Sequence, residues 1–236
     1  MDKKKLLKFI GMYTLGGSVE AVTWKSTDKQ ISTNFVSADK TVMGTVESNI
    51  SVGDFEFGIY DTTRLTRMLS VLDDEVDIVV NSNNGKNISL FISGKLAKVS
   101  FGLTEKDQIP KPPSLKMKPT FTTTIKLDNN FRTHFQKANG ALSETNFFTI
   151  EYDGLGGVCT FGYDDTNSNK IIFDIDTQST EDLQPIHYSS IHVSEILNAN
   201  KDCDGIMEIS PVGLARITYT TNEYKSEYYL VNKEIE

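Results

Sequence analysis

Cysteine is almost absent from this chain. Cys159 and Cys203 are the only two among 236 residues, and their wide separation matches no metal-ligand spacing. Two lone thiols exclude a disulfide-dense secreted scaffold and suit apolar packing in a reducing cytosol, with a single bridge between them left open. Long hydrophobic runs are missing too. No window approaches the roughly 18 apolar residues of a membrane-spanning helix, so a soluble protein with no membrane partner is expected. The basic and apolar start MDKKKLLKFIGMYTLGG is interrupted by Lys8 and followed by no small-residue cleavage site, so it is not read as a signal peptide. Positive charge is in deficit: 24 Lys and Arg stand against 32 Asp and Glu, a formal net charge of -8. That balance excludes holding nucleic acid on a large, generally basic surface.

Convergent reactive groups are equally scarce. The three histidines are His134, His187 and His192. The last two lie five apart in a predicted strand, where odd spacing sends side chains to opposite faces, so joint metal ligation is not expected. Asp174 and Asp176 share a strand face as paired carboxylates do, but a solvated face explains them. Asp73, Asp74 and Glu75 form an acidic turn without calcium-loop spacing. Gly154, Gly156 and Gly157 separate two strands and open no helix, so they mark a hairpin turn and not a phosphate cradle. The reading is of no enzyme, no catalytic residues, no metal and no cofactor.

What the chain does have is a duplicated plan. Phe55 to Val80 reads FEFGIYDTTRLTRMLSVLDDEVDIVV, and a shorter copy returns from Ile191 as IHVSEILNANKDCDGIMEIS. In each, a strand ends at a capping residue, a helix of two or three turns follows, an acidic turn reverses the chain, and an apolar strand leaves. Between the copies, KDQIPKPPSLKMKP from Lys106 to Pro119 holds four of the six prolines, which makes it an extended connector. The expected organisation is an N-terminal domain over 1–105, a connector over 106–119 and a C-terminal domain over 120–236.

Periodicity places a first helix over Lys4 to Leu15, strands near Val19 to Lys25, Gln30 to Ser37, Thr41 to Asn49 and Phe55 to Tyr60, and a helix over Thr62 to Leu72. That helix is capped by Asp61 and carries Leu65, Met68, Leu69 and Leu72 on one stripe. Strands at Val76 to Asn81, Asn87 to Ser93 and Leu96 to Leu103 close the half, with Asn83, Asn84 and Gly85 turning between the first two. The second half repeats the order. A strand over Thr120 to Leu127 leads to the cap Asp128 and a helix with Phe131, Phe135, Ala138 and Leu142 on one face. Strands follow near Phe147 to Tyr152, Gly157 to Tyr163, Lys170 to Asp176 and His187 to Val193. Ser194 is predicted to cap a short helix with Ile196 and Leu197, before strands at Gly205 to Ser210, Leu214 to Thr220 and Ser226 to Val231. The fold class is α+β: two similar domains of antiparallel sheet, each with two helices.

The cations are placed with a pattern. Lys4, Lys5 and Lys8 stand on the polar side of the first helix, Arg64 and Arg67 on that of the second, and Arg132 and Lys137 on that of the third. The fourth offers only Lys201 beside Glu195 and Asp202. Residues 1–110 carry 13 Lys and Arg against 14 Asp and Glu, and residues 111–236 carry 11 against 18. A solvated helix face explains any one helix, but three repeating the choice in an acidic protein favour scattered phosphate contacts to a polyanion.

The run FGIYDTTRLTRMLSVLDDEVDI resembles the corresponding segment of the sliding clamps of T-even-type bacteriophages, ring-shaped DNA polymerase processivity factors related in fold to PCNA. The ending SEYYLVNKEIE resembles the C-terminal strand and tail of PCNA-type clamps. The resemblance implies a ring-forming DNA clamp fold and a homotrimer of six domains around double-stranded DNA, held without sequence specificity. It also implies tethering of a replicative DNA polymerase, a separate clamp loader, and work in the cytoplasm of an infected bacterial host. On this reading Lys4, Lys5, Lys8, Arg64, Arg67, Arg132, Lys137 and Lys201 face DNA. Partner peptides would dock around Ile109, Leu115 and Met117 of the connector and Tyr228, Tyr229, Leu230 and Val231 of the last strand. The rival expectation is a two-domain β-rich viral structural or binding module with no DNA role; a metal-dependent nuclease ranks below both.

Overall fold

The computed structural model describes residues 1–113, 119–162 and 169–233. They fall into two compact units: Met1–Pro113 together with Thr221–Ser226 form one, and the remaining described residues form the other.

The first unit opens with helix α1 (Lys3–Thr14), whose first turn is capped by Asp2 accepting from the Lys4 amide at 2.7 Å. Leu6, Phe9, Ile10, Met12 and Tyr13 form its buried side. Strands β1 (Val22–Ser26), β2 (Ile31–Val36), β3 (Val42–Ser48) and β4 (Phe55–Ile59) pair antiparallel in the order β3-β2-β1-β4, with inward side chains at alternate positions of β1, β2 and β3. Helix α2 (Thr62–Leu69) follows, capped by Asp61 accepting from the Arg64 amide at 2.7 Å. Strands β5 (Asp77–Asn83), β6 (Lys86–Ser93) and β7 (Lys98–Gly102) make a second antiparallel sheet in chain order. The chain start extends that region, with the Val76 amide donating to the Met1 carbonyl at 3.0 Å. Between β5 and β6, Asn84 and Gly85 have φ of 49° and 77°, the positive pair that a two-residue hairpin turn demands.

The second unit repeats the plan. Its elements are β8 (Thr123–Leu127), α3 (Asn129–Ala141), β9 (Phe147–Tyr152), β10 (Gly157–Phe161), β11 (Ile171–Ile175), β12 (Thr177–Ser179), β13 (Leu183–Ser189), α4 (Ser190–Ala199), β14 (Gly205–Ile209), β15 (Ala215–Thr220) and, from Glu227 onward, β16 (Tyr224–Leu230). One sheet runs β11-β10-β9-β13, matching β3-β2-β1-β4 strand for strand; the other contains β12-β8-β14-β15-β16. Asp128 caps α3 by accepting from the Phe131 amide at 2.9 Å. Beneath α3, the Phe135 ring meets those of Phe148 and Phe161 at 4.9 and 5.1 Å. Burying each such ring contributes roughly 1.5–3 kcal/mol.

The structure corrects the sequence reading at two elements. The strand expected over His187 to Val193 ends at Ser189, and α4 begins at Ser190. Ser189 is the cap, accepting from the His192 amide at 3.3 Å. Ser194, expected to be the cap, lies inside the helix and donates to Gln136 Oε1 at 2.8 Å. Ser190, Val193, Ser194 and Leu197 are all buried at helical spacing, so two hydroxyls sit on the inward stripe and interrupt the apolar pattern that would have announced it. Strand β12 had no counterpart in the expected order. His187 therefore lies on a strand and His192 on a helix.

Candidate nucleic-acid interface

In the first unit a buried polar chain fixes the two helices. The lone tryptophan, Trp24, donates its indole N–H to the Tyr13 hydroxyl at 3.1 Å, and that hydroxyl lies 3.4 Å from Thr62 Oγ1, which in turn donates to the Glu20 carbonyl at 2.9 Å. The last turn of α1 is thereby tied to the first turn of α2. Their apolar sides face inward, and the cations are left on the outward sides. Lys4, Arg64 and Arg67 are exposed and carry no ion pair among the described residues.

The other lysines of α1 are engaged. Lys3 donates to the Leu72 carbonyl, which ties it to the loop after α2. Lys5 pairs with Glu223 at 2.7 Å, and the Lys8 ammonium lies 4.5 Å above the Tyr224 ring.

In the second unit Gln136 of α3 bridges to α4, donating to the Ser194 carbonyl at 3.2 Å and to Asn198 Oδ1 at 3.1 Å. Lys137 and Lys201 are exposed. Arg132 is half-buried instead. One of its terminal nitrogens donates to the Cys203 carbonyl at 2.9 Å, while its Nε is buried without a partner. Asn129, Asn130, Thr133, His134 and Asn198 fill the exposed helix positions around these cations, so this helix pair is polar and only weakly basic.

The positions expected to bind partner peptides fall into three groups. Ile109 is buried in the first unit, packed against Gly58, where an added Cβ would lie 2.9 Å from the Ile109 side chain and 2.8 Å from the Thr104 carbonyl oxygen. Leu115 and Met117 lie outside the described residues. On β16, Tyr228 and Leu230 point into the core and Tyr229 is nearly buried. Val231, just beyond the strand, is exposed. The Asn200 side chain donates to the Tyr228 hydroxyl at 3.0 Å, a contact that sequence reasoning missed because nothing links a strand tyrosine to a polar residue at a helix end.

No group of three or more His, Cys, Asp or Glu side chains gathers as metal ligands do among the described residues. His134 pairs with the Asn130 carbonyl at 2.9 Å and His187 with Thr149 Oγ1 at 2.8 Å. Burial lowers the pKa of His187. Cys159 is buried and Cys203 half-buried, neither in a disulfide, and burial pushes the Cys159 thiol well above its ordinary value.

Two copies of one plan, each a pair of helices with an outward polar face and antiparallel sheets in matching strand order, define the fold as that of the PCNA-type sliding clamps. Proliferating cellular nuclear antigen from Entamoeba histolytica matches with a TM-score of 0.73 at 11% identity, over 99% of this chain and 96% of that one. The structure of the C-terminal region of FEN-1 bound to A. fulgidus PCNA matches with a TM-score of 0.76 at 12% identity, over 100% and 98% of the two chains. No protein-family model and no curated protein matches the sequence.

Proposed function

We propose that this chain is the subunit of a DNA sliding clamp. Three copies close into a ring around double-stranded DNA, hold it without reading its sequence, and tether a replicative polymerase so that synthesis is processive. The observation that carries the proposal is the exposed, unpaired set Lys4, Arg64 and Arg67 on the helix pair of a clamp-type unit in a chain of net charge -8. Cations confined to helices give a weak, sequence-blind attraction to phosphate, and an otherwise acidic surface discourages binding elsewhere.

On this reading Lys137 and Lys201 extend the DNA-facing set, while Lys5, Lys8 and Arg132 contribute less because each already has a protein partner. The ring is a homotrimer joined through edge strands. Candidates are β5 and β11, which end their sheets and expose Val79 and Ile172. Polymerase and clamp-loader tails would dock near the connector and the residues after β16; in one similar structure the C-terminal region of FEN-1 is bound to A. fulgidus PCNA. The protein is a scaffold and not an enzyme, it needs no cofactor, and loading falls to a separate ATP-driven partner. The run FGIYDTTRLTRMLSVLDDEVDI points to a T-even-type bacteriophage clamp acting in the cytoplasm of the infected host.

The test is primer extension on a long singly primed template with a phage polymerase and its loader. Addition of this protein is expected to lengthen products under single-encounter conditions. No change in product length across phage polymerases would contradict the proposal and favour a β-rich binding module.

A further inference from the structure

The hairpin that joins β5 to β6 turns through Asn84 and Gly85, a side-chain amide followed directly by an unhindered backbone nitrogen. Both residues are exposed. The ladder closes with Asn83 opposite Lys86, which leaves the two turn residues outside it. Their φ of 49° and 77° is left-handed backbone, a region that asparagine tolerates and glycine enters freely. Neither the Asn84 side chain nor the Gly85 amide has a hydrogen-bond partner among the described residues. Nothing lies within 4 Å of the place a Cβ on Gly85 would take. Below the turn, the ladder shifts register between Asn81 and Ser82, so only Asn83 opposite Lys86 and Ser82 opposite Asn87 hold the tip beyond that irregularity.

The chain contains a second Asn-Gly pair, Asn139 and Gly140, which serves as an internal comparison. It lies inside α3, and there too nothing stands within 4 Å of a Cβ on the glycine. What differs is the backbone. In a helix each amide nitrogen donates to the carbonyl four residues back, and ψ is held near about -42°. The ladder of α3 continues past this pair, with the Leu142 amide donating to the Ala138 carbonyl at 3.0 Å. The Gly140 nitrogen is therefore committed, and the last turn of the helix must open before that nitrogen can reach Asn139 Cγ. The same dipeptide is free in one place and restrained in the other.

We propose that Asn84 is a site of spontaneous deamidation, with water as the only co-reactant, and that the reaction loosens the β5–β6 hairpin. The Gly85 nitrogen loses its proton and forms a bond to Asn84 Cγ; the Cγ–Nδ2 bond breaks, and Nδ2 leaves as ammonia with that proton. The product is a five-membered cyclic imide. Water then opens it on either side of the Gly85 nitrogen, giving aspartate at position 84 or isoaspartate, in which the main chain runs through the former side chain. Either product adds a negative charge to a chain of net charge -8, two residues from Lys86, which already pairs with Glu105 at 2.8 Å. Isoaspartate also adds a methylene to the main chain of a turn that has only two residues, so Asn83 and Lys86 lose their register. The proposal does not rest on DNA binding.

The test is incubation of the full chain in neutral and mildly alkaline buffer, with samples taken over time and mapped by peptide mass spectrometry. In the folded protein Asn84 is expected to convert to the acid, faster at the higher pH because the Gly85 nitrogen must lose its proton, while Asn139 converts at least about tenfold more slowly. In urea the two sites should react at similar rates, since only the fold distinguishes them. The converted species are then separated by anion exchange and compared by hydrogen exchange. The isoaspartyl form is expected to lose amide protection in β5 and β6, and the aspartyl form to keep it. An Asn84 that stays intact in the folded chain while urea exposes it to reaction would overturn the proposal. So would an Asn139 that keeps pace with Asn84 in the folded chain, or an isoaspartyl form with undiminished protection of the hairpin.

Discussion

The Lys5 ammonium lies 2.7 Å from the Glu223 carboxylate, 218 positions further along the chain. The hydrogen bond from Lys5, and next its charge, hold the Glu223 carboxyl below its ordinary range, and donating that bond to Glu223 raises Lys5. An α1 lysine expected to attract DNA is thus partly neutralised by the protein itself. Glu223→Gln is expected to release it and tighten duplex binding. The slope of log affinity against log salt should steepen by up to about 0.9, the value for one phosphate contact. Because the folded pKa of Glu223 is depressed, the pair's contribution to stability is present above the ordinary carboxylate pKa and lost as pH falls through the folded value. Acid titration of Glu223→Gln should lack that component.

Scattered contacts predict graded losses. Single changes of Lys4, Arg64, Arg67 or Lys137 to Ala should each weaken duplex binding modestly, and the four together should remove most of it. Anisotropy with a duplex checks both. One substitution that abolished sliding would contradict the account. Arg132→Ala should behave differently, losing about 1–3 kcal/mol of stability in urea melts because its guanidinium holds the Cys203 carbonyl.

Tyr228 divides the structural from the docking reading of the last strand. Its hydroxyl is buried and accepts from Asn200, which also donates to the Ile196 carbonyl at 2.8 Å. Tyr228→Phe should cost about 1–3 kcal/mol of stability. Binding of a polymerase tail peptide, measured calorimetrically below the melting transition, should be unchanged.

Alkali should unfold the protein through its buried phenols. Burial raises Tyr13 and Tyr188 above the ordinary value of 10.0. A raised folded pKa means that their contribution is complete below about pH 10 and is lost as pH climbs toward the folded values, because the unfolded chain ionises first. Emission of the single tryptophan, which donates to Tyr13, should report a loss of packing in the first unit above pH 10. Tyr13→Phe should move that transition to higher pH.

The sequence reading recovered the elements whose local signals agreed. Asp61 and Asp128 cap the expected helices, Asn84 and Gly85 turn where the dipeptide demands it, and the inward face of α3 carries Phe131, Phe135 and Ala138. It failed at α4, where Ser190 and Ser194 occupy buried helix positions and neighbouring Ile191 and Val193 mimic strand alternation. The positions of the cations were legible, since polar helix faces follow from periodicity. Their engagement was not: the partners of Lys5 and Arg132 come from Glu223 and Cys203, remote in sequence and set by tertiary packing.

On the proposed function, three chains close into a ring. Light scattering behind a sizing column, at several loading concentrations, measures it directly. A mass near 79 kDa, three times the 26.4 kDa subunit, falling on dilution, is the predicted result. A steady 26.4 kDa monomer at every concentration would leave nothing to encircle DNA and would contradict the account.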